Sequence, residues 1–300
     1  MALKIPRRTR TMATRIAVAA VLAVAGTAVI APPASPPASA VSPERLSGLG
    51  QATVTSAVKG VGAWSFPGID KALAGSGAHW YYNWGTNHDG IASLKGVEYV
   101  PMIWGSQNAN RADLKAAKSA TGNTLLTFNE PDQAGQANMT VTQALDAWPK
   151  LEATGLSLGS PATASGGEAA GSWLDKFMKG AKKRGYRVNF IALHWYRWDG
   201  SVNSSVSGLR TFLREVHRRY DLPLWLTEFS GVSFSNGVTS ASVKDQAAFV
   251  KAAGKMMAKL PYVKRYAWFA LPPMTDLPHS SLYSQGPKIT KVGRAFRALP

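Results

Sequence analysis

Leu125-Leu126-Thr127-Phe128-Asn129-Glu130 and Leu224-Trp225-Leu226-Thr227-Glu228-Phe229 are two short apolar runs, each carrying a single acid at or near its C-terminal end. Runs of this length, rich in Leu, Phe, Trp and Thr, read as strands, and their near-continuous apolar character is that of strands covered on both faces. Six further runs of the same kind surround them: Lys59–Trp64, Ala78–Trp84, Glu98–Trp104, Leu156–Pro161, Phe190–Tyr196 and Tyr266–Leu271. That makes eight.

Most of the intervals carry helical spacing. Leu209, Phe212, Leu213 and Val216 fall at i, i+3, i+4, i+7, and Phe249, Val250, Ala253 and Met256 follow nearly the same rhythm. Trp173, Leu174, Phe177, Met178 and Ala181 form another apolar face, and Thr140 with Gln143 and Ser242 with Asp245 have capping-box spacing. Eight strands alternating with helices predict a single-domain α/β protein of the (β/α)8 TIM-barrel type over residues 59–300. The first two intervals, Pro67–Gly77 and Gly85–Lys95, leave little room for a helix. A doubly wound open sheet is the alternative, but its glycine-rich nucleotide turn after the first strand is missing.

The chain has 300 residues, no cysteine, and 34 Lys plus Arg against 17 Asp plus Glu, a formal charge of +17. Without cysteine there is no disulfide framework, thiolate metal site or cysteine nucleophile. Part of the charge belongs to a leader: Lys4, Arg7, Arg8, Arg10 and Arg15 precede the apolar stretch Ile16–Ile30, and Ala38-Ser39-Ala40 is a small-residue cleavage pattern. Residues 1–40 therefore read as a signal peptide and 41–58 as a mature N-terminal tail, for a secreted protein with no stable membrane anchor after cleavage. A permanent anchor is the alternative, though the stretch is shorter than the ~20 residues a spanning helix needs. Cleavage after Ala40 removes five positive and no negative charges, taking +17 to +12. The remaining excess is scattered over helices such as Lys179–Arg187 and Arg210–Arg219, which reads as solvated faces rather than a nucleic-acid site.

In a (β/α)8 barrel chemistry sits at the C-terminal ends of the strands. Glu130 and Glu228 both stand there, on the fourth and seventh strands. Either alone could be a structural ion pair, since a carboxylate in an apolar run needs a partner. Together on one face they form the pair used in glycoside hydrolysis, with one protonating the leaving oxygen and the other attacking the anomeric carbon. Burial and neighbours can set two identical side chains to opposite tasks. Other chemistries lack their motifs: the five histidines show no metal-ligand spacing, and there is no G-x-S-x-G elbow or phosphate loop. No metal and no cofactor is expected.

Asn129-Glu130-Pro131-Asp132, His194-Trp195-Tyr196 and Thr227-Glu228-Phe229, with Tyr82-Asn83-Trp84-Gly85, Pro101-Met102-Ile103-Trp104-Gly105 and Tyr266-Ala267-Trp268-Phe269, resemble glycoside hydrolase family 128. The likeness runs from Lys59 onward with the motifs in family order. It implies a retaining (β/α)8 enzyme acting on β-1,3-glucan, with internal cleavage the leading expectation and a β-glucan polysaccharide or oligosaccharide the partner of a monomeric chain. By the same likeness Glu130 is the acid/base and Glu228 the nucleophile. Asn129 resembles the asparagine that touches the sugar 2-hydroxyl, while Tyr196 resembles a hydrogen-bond donor to the nucleophile. His194, two residues before Tyr196 on one strand, shares its face. Asn83 belongs to the implied substrate-binding set, and Trp84, Trp104 and Trp268, at strand ends, are candidate sugar platforms. Trp64, Trp195 and Trp198 are further aromatics of that kind, for which barrel core is the simpler reading. A non-catalytic glucan-binding wall protein and an enzyme for another β-glucan linkage are the alternatives. The segments 233–240 and 196–205 match no family string.

Overall fold

The computed structural model describes residues 57–300 apart from Thr121, Asn236 and Pro278. The expected signal peptide and all but the last residues of the expected tail lie outside the described residues. In chain order the barrel elements are β1 Val58–Gly62, α1 Ile69–Ser76, β2 Trp80–Tyr82, and β3, made of Glu98–Tyr99 and Met102–Ile103 around Pro101. There follow α2 Arg111–Lys118, β4 Thr124–Asn129, α3 Val141–Glu152, β5 Ser157–Ala162, α4 Trp173–Lys183 and β6 Ile191–Tyr196. The chain ends with α5 Val202–Tyr220, β7 Leu224–Ser230, α6 Val243–Met257, β8 Val263–Trp268 and α7 Lys291–Arg297.

All eight strands are parallel and each has two neighbours, which makes a closed (β/α)8 barrel and sets aside the open sheet. β1 pairs with both β2 and β8, through Gly60↔Trp80 and Gly60↔Ala267. The ring continues through Trp80↔Glu98, Met102↔Leu126 and Leu125↔Leu158. A bridge Gly159↔Phe190 with Ser160 N–H on Phe190 O (2.9 Å) joins β5 to β6, and Ile191↔Leu224 and Leu226↔Tyr266 complete it. Glycine is required at Gly60, where a Cβ would come within 2.3 Å of the Trp80 ring that fills the barrel base.

The helices cover the outside with the faces their spacing predicts: Leu209, Leu213 and Val216 of α5 and Phe249, Val250, Ala253 and Met256 of α6 are buried. Thr140 and Gln143 form the expected reciprocal cap of α3, and Ser242 accepts the Asp245 N–H at the start of α6. Among the described residues no helix is long and apolar enough to cross a membrane.

Two intervals differ from their sequence reading. The first holds α1, while residues 83–97 after β2 form no helix; the Tyr99 hydroxyl lies 2.8–2.9 Å from Asn83 Oδ1, Gly85 O and Asn87 O and ties this loop down instead. β8 begins at Val263, three residues before the apolar run, because Arg265 hides in the barrel base, 4.2 Å over Trp225 and 2.7 Å from Glu98 Oε2. A guanidinium paired and stacked in this way is compatible with a strand that composition alone would start later.

Candidate active site

The two glutamates reach the barrel mouth through breaks in strand register. Along β7 the pairing with β6 steps from Leu226↔Leu193 to Glu228↔His194, and the pairing with β8 steps from Leu226↔Tyr266 to Phe229↔Trp268, so β7 holds one extra residue against both neighbours. Thr227 is that residue on the β6 side; its hydroxyl bonds Leu193 O at 3.1 Å. On β4 the register steps from Thr127↔Pro161 to Asn129↔Ala162, with Phe128 at φ 22° between them. Bulges re-aim the side chains that follow. Hence Leu226 packs with the outer cluster, whereas Glu228, two residues on, meets the side chains of Tyr82 and Trp84 from the inner one.

Glu228 is 5% exposed and held by a set of neutral donors. Its Oε1 accepts the Trp84 indole N–H at 2.8 Å and its Oε2 the Tyr196 hydroxyl at 2.5 Å, while the single Tyr82 hydroxyl proton is shared between Oε1 at 3.1 Å and Thr227 O at 2.9 Å. Burial, and then the charge of Glu228, push both tyrosines well above the ordinary phenol value, so they stay protonated donors. Trp84 reaches its carboxylate from a left-handed backbone, φ 58°, a conformation costly for a bulky residue and one that clusters at functional sites.

Glu130 lies just past β4, also at positive φ, with its N–H on Ala162 O (2.8 Å) and a side chain 14% exposed. His194 stands between the two acids, with Nδ1 2.9 Å from Glu130 Oε1 and Nε2 3.4 Å from Glu228 Oε1. Burial pulls the His194 pKa down, but the Glu228 charge and the hydrogen bond to Glu130 outweigh it, and the net shift is upward. No lysine or arginine pairs with either acid among the described residues, which removes the structural ion pair as their explanation. One ligand-type atom of Glu130, His194 and Glu228 lies within 4.8 Å of the others. A metal ion could bridge such a spacing, but at Glu228 Oε1 it would have to displace the Trp84 and Tyr82 donors already there.

The remaining residues of the sequence-derived set divide. Asn129 is buried beside Glu130, its Nδ2 donating to Gln136 Oε1 at 3.2 Å and its Oδ1 left without a partner. Trp104 is half-buried and packs between the inner and outer clusters. One position is corrected. Trp268 is fully buried, its ring edge-on to Phe229 (5.0 Å between centroids) and its N–H on Ser280 O at 2.7 Å, so it is barrel core with no face to offer a sugar. Asn83 is half-buried in the loop after β2, where it donates one amide hydrogen to Asn87 O at 2.8 Å and accepts from Tyr99 and Gly85, and it touches neither acid. Trp195 is core against Phe249, while Trp64 is half-exposed and leans on Trp84 and Phe269. Sequence reading missed Tyr82. Its signal was there: Trp80, Tyr82 and Trp84 alternate along one strand and so share the inner face.

A (β/α)8 barrel that faces two glutamates across its mouth, from the ends of β4 and β7, is the architecture of a glycoside hydrolase. The glycosyl hydrolase catalytic core model matches residues 63–296. A family 128 subgroup I endo-β-1,3-glucanase from Amycolatopsis mediterranei, solved with laminaritriose, is 47% identical, with 81% of this chain and 99% of that one covered and a TM-score of 0.77. A subgroup II endo-β-1,3-glucanase from Sorangium cellulosum is 28% identical (81% and 98% covered, TM-score 0.69). A subgroup III curdlan-specific exo-β-1,3-glucanase from Blastomyces gilchristii is 29% identical (80% and 97% covered, TM-score 0.63). Alkali-sensitive linkage protein 1 of Schizosaccharomyces pombe is 29% identical over 250 residues, 78% of this chain but 43% of that protein, so the chain spans less than half of that relative. The chain belongs to the glycosyl hydrolase catalytic core family and, within it, to glycoside hydrolase family 128.

Proposed function

We propose that the protein is a secreted, monomeric endo-β-1,3-glucanase that works by double displacement with retention, without a cofactor. The observation that carries the mechanism is the carboxylate pair: one oxygen of Glu130 and one of Glu228 lie within 4.8 Å of each other, a proximity that suits direct attack by the second acid better than activation of a water between them. Their environments favour a division of labour. Glu228, fixed by the neutral donors of Trp84 and Tyr196 and by a shared Tyr82 hydroxyl, suits the ionised nucleophile, and the more exposed Glu130, touched by His194 alone, suits the group that exchanges protons.

In the first step Glu130 gives its proton to the glycosidic oxygen as that C–O bond breaks, and Glu228 forms the bond to the anomeric carbon. In the second, Glu130 takes a proton from water, whose oxygen attacks the same carbon and releases Glu228. Asn129 is the proposed contact to the sugar 2-hydroxyl. Trp64, Trp84 and Trp104 are the proposed aromatic wall, with Trp84 also a ligand of the nucleophile. Internal attack is favoured because the endo-acting subgroup I glucanase is far more similar, at 47% identity, than the exo-acting one at 29%. Export rests on the basic head and apolar stretch of residues 1–40, and the first residue of the protein recovered from culture medium should be Val41.

The test is a product profile on β-1,3-, β-1,4- and mixed-linkage glucans. The expected result is an early ladder of β-1,3-oligosaccharides from the first substrate alone. Glucose as the sole early product would overturn internal attack, and binding of insoluble β-1,3-glucan without new reducing ends would overturn hydrolysis.

A further inference from the structure

The excess of positive charge has no part in the chemistry above, and the structure gathers a piece of it in one place. Between α2 and α3, on the outside of the barrel, runs a groove of about 720 Å³ lined by Arg111, Lys115, Lys118 and Lys150, with Leu114 and Ala153 between them. Arg111, Lys115 and Lys118 fall at i, i+4, i+7, so they form one stripe roughly 10 Å long on a single helix face. Lys150 stands across from it on α3.

All four are exposed, and none forms an ion pair among the described residues. The nearby acids are engaged elsewhere. Asp113 accepts from Thr86, Asn108 and Asn110, Asp146 pairs with Arg184 at 2.7 Å, and Glu152 accepts the Arg187 N–H. Lys115 and Lys118 sit in the last turn of α2, where the helix dipole favours a cation, but Arg111 opens the helix at the end that disfavours one. The like charges one turn apart also repel each other. An anion in the groove would relieve both.

We propose that this groove is a second glycan site, which holds a linear acidic polysaccharide carrying a carboxylate or a phosphodiester on successive units. Lysine ammoniums on flexible stems suit such a chain, because they follow point charges whose spacing varies. No aromatic side chain lines the groove, so unpaired nucleic-acid bases would find no stacking platform. Binding there would keep the enzyme beside a neutral glucan embedded in an anionic matrix and raise its local concentration without any new contact at the catalytic mouth.

The test is affinity electrophoresis of the full mature chain through gels containing polygalacturonate, a polyol-phosphate wall polymer, single-stranded DNA, or neutral β-1,3-glucan. Lys115→Glu/Lys118→Glu/Lys150→Glu is compared with Lys182→Glu/Lys251→Glu/Lys255→Glu, an equal charge change on α4 and α6. The groove variant should bind the acidic polymers about tenfold more weakly or worse, and the control within about twofold of wild type, both effects shrinking with added salt. Preference for polygalacturonate or for the phosphate polymer assigns the anion. Equal losses in the two variants, no retardation of wild type by either acidic glycan, or tighter retention by DNA than by both would overturn the proposal. Hydrolysis of a short neutral β-1,3-oligosaccharide is measured in parallel and should be the same in all three proteins, which keeps this outcome separate from that of the catalytic reading.

Discussion

Trp84→Phe separates two roles for one residue at the site. Phenylalanine keeps an aromatic face toward the barrel mouth but removes the N–H that lies 2.8 Å from Glu228 Oε1. Oε1 would keep the His194 contact at 3.4 Å and the Tyr82 hydroxyl at 3.1 Å, whose one proton it shares with Thr227 O, so the carboxylate loses its shortest bond on that oxygen without being abandoned. A hydrogen bond to a charged group contributes about 1.5–3 kcal/mol. If that energy holds Glu228 on its line of attack, kcat should fall by about tenfold to a little over a hundredfold. KM should stay within about twofold, because the lost group touches the enzyme's own carboxylate and not the sugar. Initial rates on soluble β-1,3-glucan across a range of concentrations give both constants. A thermal melt on the same samples checks that packing against Trp64, Tyr82 and Phe269 survives. A variant with wild-type kcat and a raised KM would refute the donor role and return Trp84 to a platform alone.

Three further outcomes are expected. Glu228→Ala should lose turnover and regain part of it with azide, which replaces the missing nucleophile, whereas Glu130→Ala should keep most of its activity on an aryl glycoside whose leaving group needs no proton; wild-type activity of both on polymer would mean the site is wrong. His194 has its pKa raised above 6.5 by the two acids despite burial, so its pairing stabilises the fold fully below the unfolded value and is lost as pH rises through the folded one. The melting temperature of wild type should therefore drop more steeply than that of His194→Gln as pH rises above 6.5, and parallel curves would remove the charge from that pairing. Trp268→Ala should cost about 3–5 kcal/mol in urea unfolding, as expected of a buried aromatic; an undiminished unfolding midpoint with a large rise in KM would restore it as a sugar contact.

Local sequence determined much of this protein. Eight short apolar runs with helical spacing between most of them are enough for the barrel, since the periods that bury one face are written residue by residue. An acid at the end of such a run is equally visible, because a carboxylate among Leu, Phe and Trp is conspicuous in one dimension. Arg265 shows where that reading fails: a charge stacked on Trp225 and paired with Glu98 looks like a strand boundary until its partners, far away in sequence, are known.

Only the tertiary structure decided which way the decisive side chains point. Plain alternation puts Leu226 and Glu228 on one face, but the extra residue in β7 turns the acid inward while leaving the leucine outside, and Phe128 marks a similar step on β4. The same holds for the tryptophans. Trp84 and Trp268 both stand at strand ends, yet the indole of one reaches a carboxylate and that of the other reaches Ser280 in the core. A bulge is a property of two strands together, and the partner of an indole N–H is fixed by closure of the whole ring. Neither can be read from one strand alone.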